Sequence, residues 1–525
     1  MRVQAIDHAA MLPLYLAAAA AVLALFAGRF AKGASMTGLA AAAAAAVWVG
    51  LGPDRATFAV GDWHSYVADD AAMGAAALFA ALAVLVAALS GRQAGEYWFL
   101  LTASAASGVA LAGARDLITL TVAVETLTLP LYVLVARPGR DGAEAGTVFL
   151  IASVTASATA LMGSALLYAA TGTVHLDGLA AALPAADPGL TAAGAALLLA
   201  GLAFKLAAAP LHAWAPLVLD RAPLPVAAYL ASASKLGGAV AVTWVVHFGL
   251  SGTASAGVAV AVLSVASIAV GNLGALVQRR TVPLLAWSGI AHAGYALAPL
   301  AVVATAAGRE HAGAAASAAF AYAVFFVLLE AGAFAALTAV RPETGALFAS
   351  DGRRTPRADL ASGGPQGSVL KTDAPISTDA AIDADAARGA ITARPGAAAS
   401  HAGHRSPGGA VAELTGLWKS APLPAAVLLF AVIGLAGLPP ALAGTFAKVA
   451  VLEVLASSAV WLAVVVAAGA VLGLAYYLPL ARTVLTGRAG PAPRRHAVAL
   501  VLAGLALLAV SLAPQLVLDF TALSR

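Results

Sequence analysis

Apolar residues run in blocks about twenty long, parted by short polar turns, along most of the chain. A helix rises about 1.5 Å per residue, so roughly 20 apolar residues reach across a hydrocarbon layer about 30 Å thick. Windows of that length predict fourteen membrane-crossing helices: 9–28, 36–52, 71–90, 97–114, 116–136, 145–170, 190–209, 222–249, 255–277, 282–306, 313–340, 421–458, 460–481 and 497–516. The fold expected is an all-α polytopic membrane protein. The first span is expected to stay in place, because Asp7 and His8 precede a long apolar run and no small-residue cleavage site follows it.

One stretch breaks the pattern. Residues 341–419 are rich in Ala, Gly, Ser, Asp and Arg, nearly balanced in charge, and hold no helical or strand period. Such a sequence is short of apolar surface to bury, so it predicts a low-complexity, disordered insert. The chain is thereby organised as 1–340 with spans 1–11, the insert 341–419, and 420–525 with spans 12–14. His401 and His404 are too isolated within the insert to suggest a metal site.

Composition agrees with the pattern and adds direction. Of 525 residues, 62% are hydrophobic and 10% charged, well outside the range of soluble domains. The net charge of +4 is no nucleic-acid signal, because the basic residues collect in alternate short loops. One side holds Arg29, Lys32, Arg92, Arg137, Arg140, Arg221, Arg279, Arg280, Arg482, Arg488, Arg494 and Arg495, the other Arg2, Arg55, Arg115, Arg309 and Arg525. The richer side is expected in the cytoplasm, so both termini, and the acidic loop from Asp54 to Asp70, face outward. With no cysteine, the chain has no thiolates for iron–sulfur clusters or Cys-type zinc sites.

Two spans carry internal breakers. The seventh runs into Ala208-Ala-Pro-Leu-His-Ala-Trp-Ala-Pro216, and the twelfth contains Gly434-Leu-Ala-Gly-Leu-Pro-Pro440. Proline lacks a backbone donor and crowds the preceding turn, so each helix opens there. In lipid, opened backbone survives only against protein or a hydrated cavity, and paired interruptions mark inverted-repeat transporters. The bland alternative is that these prolines only shape packing.

Ionisable residues lie close to both breaks. Lys205 and Lys448 flank them, and Lys235 and Glu125 sit within the eighth and fifth spans. A charge at mid-bilayer costs roughly 3 kcal/mol on insertion scales, so such groups pair, line wet cavities or lose their charge. Groups that hold and release protons in this placement suggest a proton path. Glu125 has a structural alternative, a carboxylate bonded to Thr121 or Thr128. Lys235 ends an Ala-Ser-Ala-Ser run whose small side chains admit an acid from another helix. His292 and Tyr295 in the tenth span, Glu144 at the start of the sixth and Glu330 in the eleventh are further relay or supporting candidates. Glu144 reads equally as a solvated first-turn acid. Glu453 reads as a counter-charge for Lys448, and His212 as structural.

Three stretches carry a resemblance: Phe204–Pro216 continued by Ala222-Pro-Leu-Pro225 and Ala231-Ser-Ala-Ser-Lys235, then Leu284–Tyr295, then Leu435–Pro440 with Gly444 and Lys448. In these the chain resembles the antiporter-like membrane subunits of respiratory complex I, most closely the N-type, over nearly everything but the insert. The resemblance implies a glutamate on helix five paired with a lysine on broken helix seven, a connecting lysine on helix eight, and a lysine on broken helix twelve facing the exit side. Glu125, Lys205, Lys235 and Lys448 occupy those positions. Lys448 in place of glutamate argues against the M-type, and the absence of a long lateral helix against the L-type. Leu217 stands where relatives carry an acid and Thr445 where they carry an aromatic, which weakens any proton-entry role for the loop at Leu217.

The function implied is proton translocation in a bacterial inner membrane, beside other membrane-arm subunits. NADH oxidation and quinone reduction, with FMN and iron–sulfur clusters, would belong to partner subunits, and no cofactor or metal is expected in this chain. A subunit of a cation/proton antiporter or membrane-bound hydrogenase is the nearest alternative, and a non-pumping scaffold the more distant one. Glu125, Lys205, Lys235, His292 and Lys448 are expected to form one hydrated file at mid-membrane depth.

Overall fold

The computed structural model describes residues 6–136, 140–341, 409–487 and 496–523, and helices follow the apolar blocks throughout. Spans 1 to 6 are Leu12–Phe26, Ala31–Gly50, Asp70–Leu89, Gly95–Ala112, Leu117–Val135 and Arg140–Thr171. Spans 9, 11, 13 and 14 are Ala254–Leu276, Ala312–Val340, Val460–Leu485 and Ala497–Leu512. Span 10, Thr281–Leu297, tightens into a 3-10 turn over Ala298–Ala304. Ten helices among the described residues are each long and apolar enough to cross a membrane.

Spans 7 and 12 are broken where the prolines require it. Span 7 is Pro188–Ala203, a 3-10 turn Phe204–Leu206, an irregular stretch, then Trp214–Arg221. Ala207 takes a left-handed conformation at φ 59° to leave the helix. The backbone donor of Ala209 is satisfied by Ser267 Oγ of span 9 at 2.9 Å, as an opened helix in the membrane demands. Span 12 is Pro422–Ala436 and Leu442–Ser458, joined through Gly437 at φ 81°. Gly444 lets the halves meet, because a methyl there would overlap the carbonyl oxygen of Gly434.

Span 8 is continuous but irregular: Leu224–Tyr229, a π turn Leu230–Ser234, Lys235–Trp244, and a second π turn Val245–Leu250. The first π turn ends at Lys235, and such wide turns re-aim the side chains that follow. The apolar windows of spans 8, 10 and 11 are buried over 100%, 94% and 94% of their length, against 28% for spans 2 and 6. Protein rather than lipid therefore surrounds the helices bearing Lys235, His292 and Glu330.

Two expectations change. The acidic loop after span 2 is a β-hairpin, β1 Arg55–Val60 against β2 Trp63–Ala68, with Val60 opposite Trp63 across a Gly-Asp turn. It extends inward through Val67 N–H to the Gly113 carbonyl, and Arg115, its guanidinium over the rings of Trp244 and Phe248, binds Asp69 at 2.6 Å. The expected disordered insert is also too long at its C-terminal end. Positions 342–408 lie outside the described residues, but 409–419 are packed: Thr281 N–H bonds the Gly409 carbonyl and Val411 N–H the Arg279 carbonyl, each at 3.0 Å. Arg341 donates to Thr281 Oγ1 at 3.0 Å from the other end, so both ends of the insert meet at the start of span 10.

A prediction follows for that junction. Replacing 345–405 with a short Gly/Ser linker is expected to leave assembly and turnover intact, because Arg341 and the 409–419 contacts remain. Loss of proton translocation in a normally assembled complex, measured in proteoliposomes, would give the insert a direct role.

Candidate functional site

The opened turn of span 7 presents Lys205 sideways into a ring of oxygen atoms. Its ammonium lies 3.1 Å from Glu125 Oε1 and donates to Thr128 Oγ1 at 2.9 Å and Ser153 Oγ at 2.8 Å. Those three acceptors match the three donors of an ammonium. Ser157 Oγ donates to the same Glu125 oxygen at 2.6 Å, and Tyr132 donates to Ser153 at 2.6 Å. Lys205 is 3% exposed, whereas the Glu125 side chain is 33% exposed and reaches the edge of the fold. Neither threonine named for Glu125 serves its carboxylate: Thr128 Oγ1 accepts from Lys205, Thr121 Oγ1 has no hydrogen-bond partner, and the hydroxyl that reaches Glu125 is that of Ser157.

The second pair is deeper. Lys235 holds both carboxylate oxygens of Glu330, at 2.8 and 3.0 Å, and each side chain is 1% exposed. Gly289 of span 10 makes the room, since a methyl there would overlap the Lys235 ammonium. The acid invited by the small-residue run before Lys235 thus arrives from span 11.

His292, on span 10, packs against span 11 one turn before Glu330. Its Nδ1 bonds the Tyr322 hydroxyl at 2.8 Å, its Nε2 the Tyr477 hydroxyl at 3.1 Å, and its ring stacks on Phe326 at 4.8 Å. Phe326 also lies 5.0 Å from the Lys235 ammonium. Tyr322, Phe326 and Glu330 recur every four residues, so one stripe of span 11 supports both His292 and the second pair. Tyr295 meets the His292 ring edge-on at 5.5 Å, but its hydroxyl turns away to accept from Asn272 Nδ2, and the Oδ1 of that amide accepts from Tyr476.

Lys448 sits at the break in span 12. Its ammonium donates to the carbonyls of Leu435 at 3.0 Å and Ala436 at 2.7 Å, the orphan acceptors at the end of the first half-helix. A cation at a helix C-terminus also meets the negative end of its dipole. Glu453 makes no ion pair with it among the described residues, so the counter-charge reading is corrected: helix carbonyls do that work. A cavity of about 10 Å³ touches both Lys448 and His292, with Tyr322 and Phe326 in its wall. A single water needs a cavity of about that size.

The five file residues therefore fall into linked clusters rather than one continuous chain of hydrogen bonds. No hydrogen bond or ion pair joins Lys205 to Lys235 among the described residues; the two meet through backbone, where Gly238 packs on the 205–206 peptide. Glu144 stands apart, paired with Arg221 at 2.6 Å with 51% of its side chain exposed. His212 hydrogen-bonds the Pro210 carbonyl and lies against Trp287, inside the span 7 break. Sequence reasoning missed Ser153, Ser157, Tyr322 and Tyr477. The serines show a detectable sign, a four-residue spacing on span 6; Tyr477, far along the chain, shows none.

The transmembrane family described as NADH:quinone oxidoreductase/Mrp antiporter matches residues 114–349 and 397–473, which contain Glu125, Lys205, Lys235, His292, Glu330 and Lys448. A NADH-quinone oxidoreductase subunit N from Salinispora tropica is 43% identical, over 91% of this chain and 84% of its own. The chain belongs to the NADH-quinone oxidoreductase subunit N family. A second subunit N relative, from Streptomyces griseus, is 34% identical over 91% of this chain and 82% of its own. A chain of respiratory complex I from Thermus thermophilus superposes with TM-score 0.73 at 28% identity, covering 98% of this chain and all of that one. The Mrp complex from Dietzia gives TM-score 0.75 at 20% identity over 98% of this chain, a likeness of fold alone. For a subunit N family member, the informative point is that both breaks and all four expected charges lie within the matched segments.

Proposed function

We propose that this chain is the proton-translocating subunit N of a bacterial NADH:quinone oxidoreductase, seated in the inner membrane beside other membrane-arm subunits with both termini outward. NADH oxidation and quinone reduction, and the FMN and iron–sulfur clusters they need, belong to partner subunits. The observation that carries the reading is the Glu125–Lys205 pair at the break in span 7, answered by Lys448 at the break in span 12.

The chemistry is a switch between two states of a buried amine. A neighbouring carboxylate favours the charged ammonium, and burial disfavours it. Protonating or displacing Glu125 therefore decides whether Lys205 keeps its proton. Lys235 responds to Glu330 in the same way, and His292, with a hydroxyl on each ring nitrogen, accepts at one nitrogen and donates at the other. Lys448 is the last station, with its ammonium held by neutral carbonyls that do not compete for the proton.

Lys448→Ala tests the reading. The complex is expected to assemble, because the substitution takes a charge out of the membrane domain and leaves only two neutral helix-end carbonyls behind, while NADH-driven acidification of proteoliposomes falls roughly tenfold. An unchanged ratio of protons moved to electrons transferred would overturn it.

A further inference from the structure

Asn272 of span 9 is fully buried, and both its donors and its oxygen are in use. Its Nδ2 donates to the Ile268 carbonyl at 2.8 Å and to the Tyr295 hydroxyl at 3.0 Å. A carbonyl only accepts, so the amide NH2 must face Ile268. The Oδ1 is thereby left for Tyr476 of span 13, whose hydroxyl donates to it at 3.0 Å. Glycines bring the three helices close here. A methyl at Gly271 would overlap the backbone nitrogen of Ala291, next to His292, and one at Gly469 of span 13 would crowd the Tyr295 hydroxyl.

Asn272 makes no hydrogen bond to His292 among the described residues; it reaches that ring through span 13. Tyr477, adjacent to Tyr476, places its hydroxyl 3.1 Å from His292 Nε2. Only 33% of the apolar window of span 13 is buried, against 94% for span 11, which carries Tyr322 on the other ring nitrogen. Little protein therefore fixes how span 13 turns about its axis. Successive side chains on a helix point about 100° apart. One bond would leave span 13 free to swivel, and two bonds at that angle do not. Tyr476 and Tyr477 supply the two.

We propose that Asn272 is a positioning residue for proton transfer at His292: by fixing Tyr476 it fixes the rotation of span 13 and keeps the Tyr477 hydroxyl on Nε2. The proposal rests on the function above. A proton that enters the ring at one nitrogen leaves from the other, so an N–H bond forms on one side as the N–H bond on the far side breaks. Each side needs a hydroxyl in place. Without Tyr477, His292 keeps Tyr322 on Nδ1 and loses its partner at Nε2.

The test reads protons moved per electron transferred by the assembled complex in proteoliposomes, with complex abundance on native gels beside it. Asn272→Leu, similar in size, and Tyr476→Phe, which cuts the same tie from the other side, are each expected to lower that ratio severalfold with the KM for quinone unchanged. Tyr477→Phe is expected to lower it at least as far. Because Asn272 acts through Tyr477, adding Asn272→Leu to Tyr477→Phe is expected to cause no further loss. If Asn272→Leu does not assemble, Tyr476→Phe takes its place in both the single and the double variant.

A normal ratio in Asn272→Leu and Tyr476→Phe, whatever their abundance, would make the amide a packing group and overturn the proposal. So would losses that multiply in the double variant, or normal pumping by Tyr477→Phe while Lys448→Ala fails, and in each of these cases the function itself would stand. Normal pumping by Lys448→Ala would remove the function on which the positioning depends.

Discussion

Lys205→Ala and Glu125→Gln are each expected to reduce NADH-driven proton translocation roughly tenfold or more, on the scale of losing a positioned proton donor or acceptor, while the complex still assembles. Assembly survives for different reasons in the two variants. Removing Lys205 takes a costly charge out of the membrane domain, and the partly exposed Glu125 left behind can reach water. Gln at position 125 keeps the shape and still accepts from Ser157, but it offers Lys205 no charge. Only neutral oxygens, those of Thr128 and Ser153 among them, then face the ammonium, so the switch loses its controlling partner. Near-normal coupled quinone reductase and acidification rates in both variants would remove this pair from the mechanism.

Glu330→Ala is expected to do more damage to assembly than either. It leaves Lys235 buried without its acid, and breaking a buried ion pair costs about 3–5 kcal/mol. Replacing both partners, Lys235→Met with Glu330→Leu, removes the uncompensated charge, and such swaps are often neutral or better for stability. The double variant is therefore expected to restore complex abundance on native gels without restoring proton translocation. Recovery of both would assign the pair to scaffolding. Gly289→Val offers an independent check, because its side chain would push between the paired groups without altering any charge.

The membrane-spanning architecture was legible in the chain because insertion is a local quantity. Each apolar window of about twenty residues carries its own free energy of transfer, so fourteen crossings can be counted without knowing what any helix touches. The breaks were legible for the same reason: Pro210, Pro439 and Pro440 open a helix wherever it packs. The hairpin at Arg55–Ala68 also left a local sign, the Gly61-Asp62 turn between alternating residues, masked by its acidic surroundings.

The partnerships were not legible. Lys235 meets Glu330 across 95 residues and His292 meets Tyr477 across 185. Whether two such groups come within 3 Å depends on how each helix is rotated about its axis and how far it slides along its neighbour. Those variables are set by the packing of every side chain between them, here by the space at Gly289, the π turn before Lys235 and the stripe Tyr322, Phe326 and Glu330. The sequence by itself determined which helices cross, where two of them open and which charges enter the membrane. Only the tertiary structure decided that Glu330 belongs to Lys235, that carbonyls hold Lys448, and that residues 409–419 close on Arg341, because each depends on distances between segments that no local window contains.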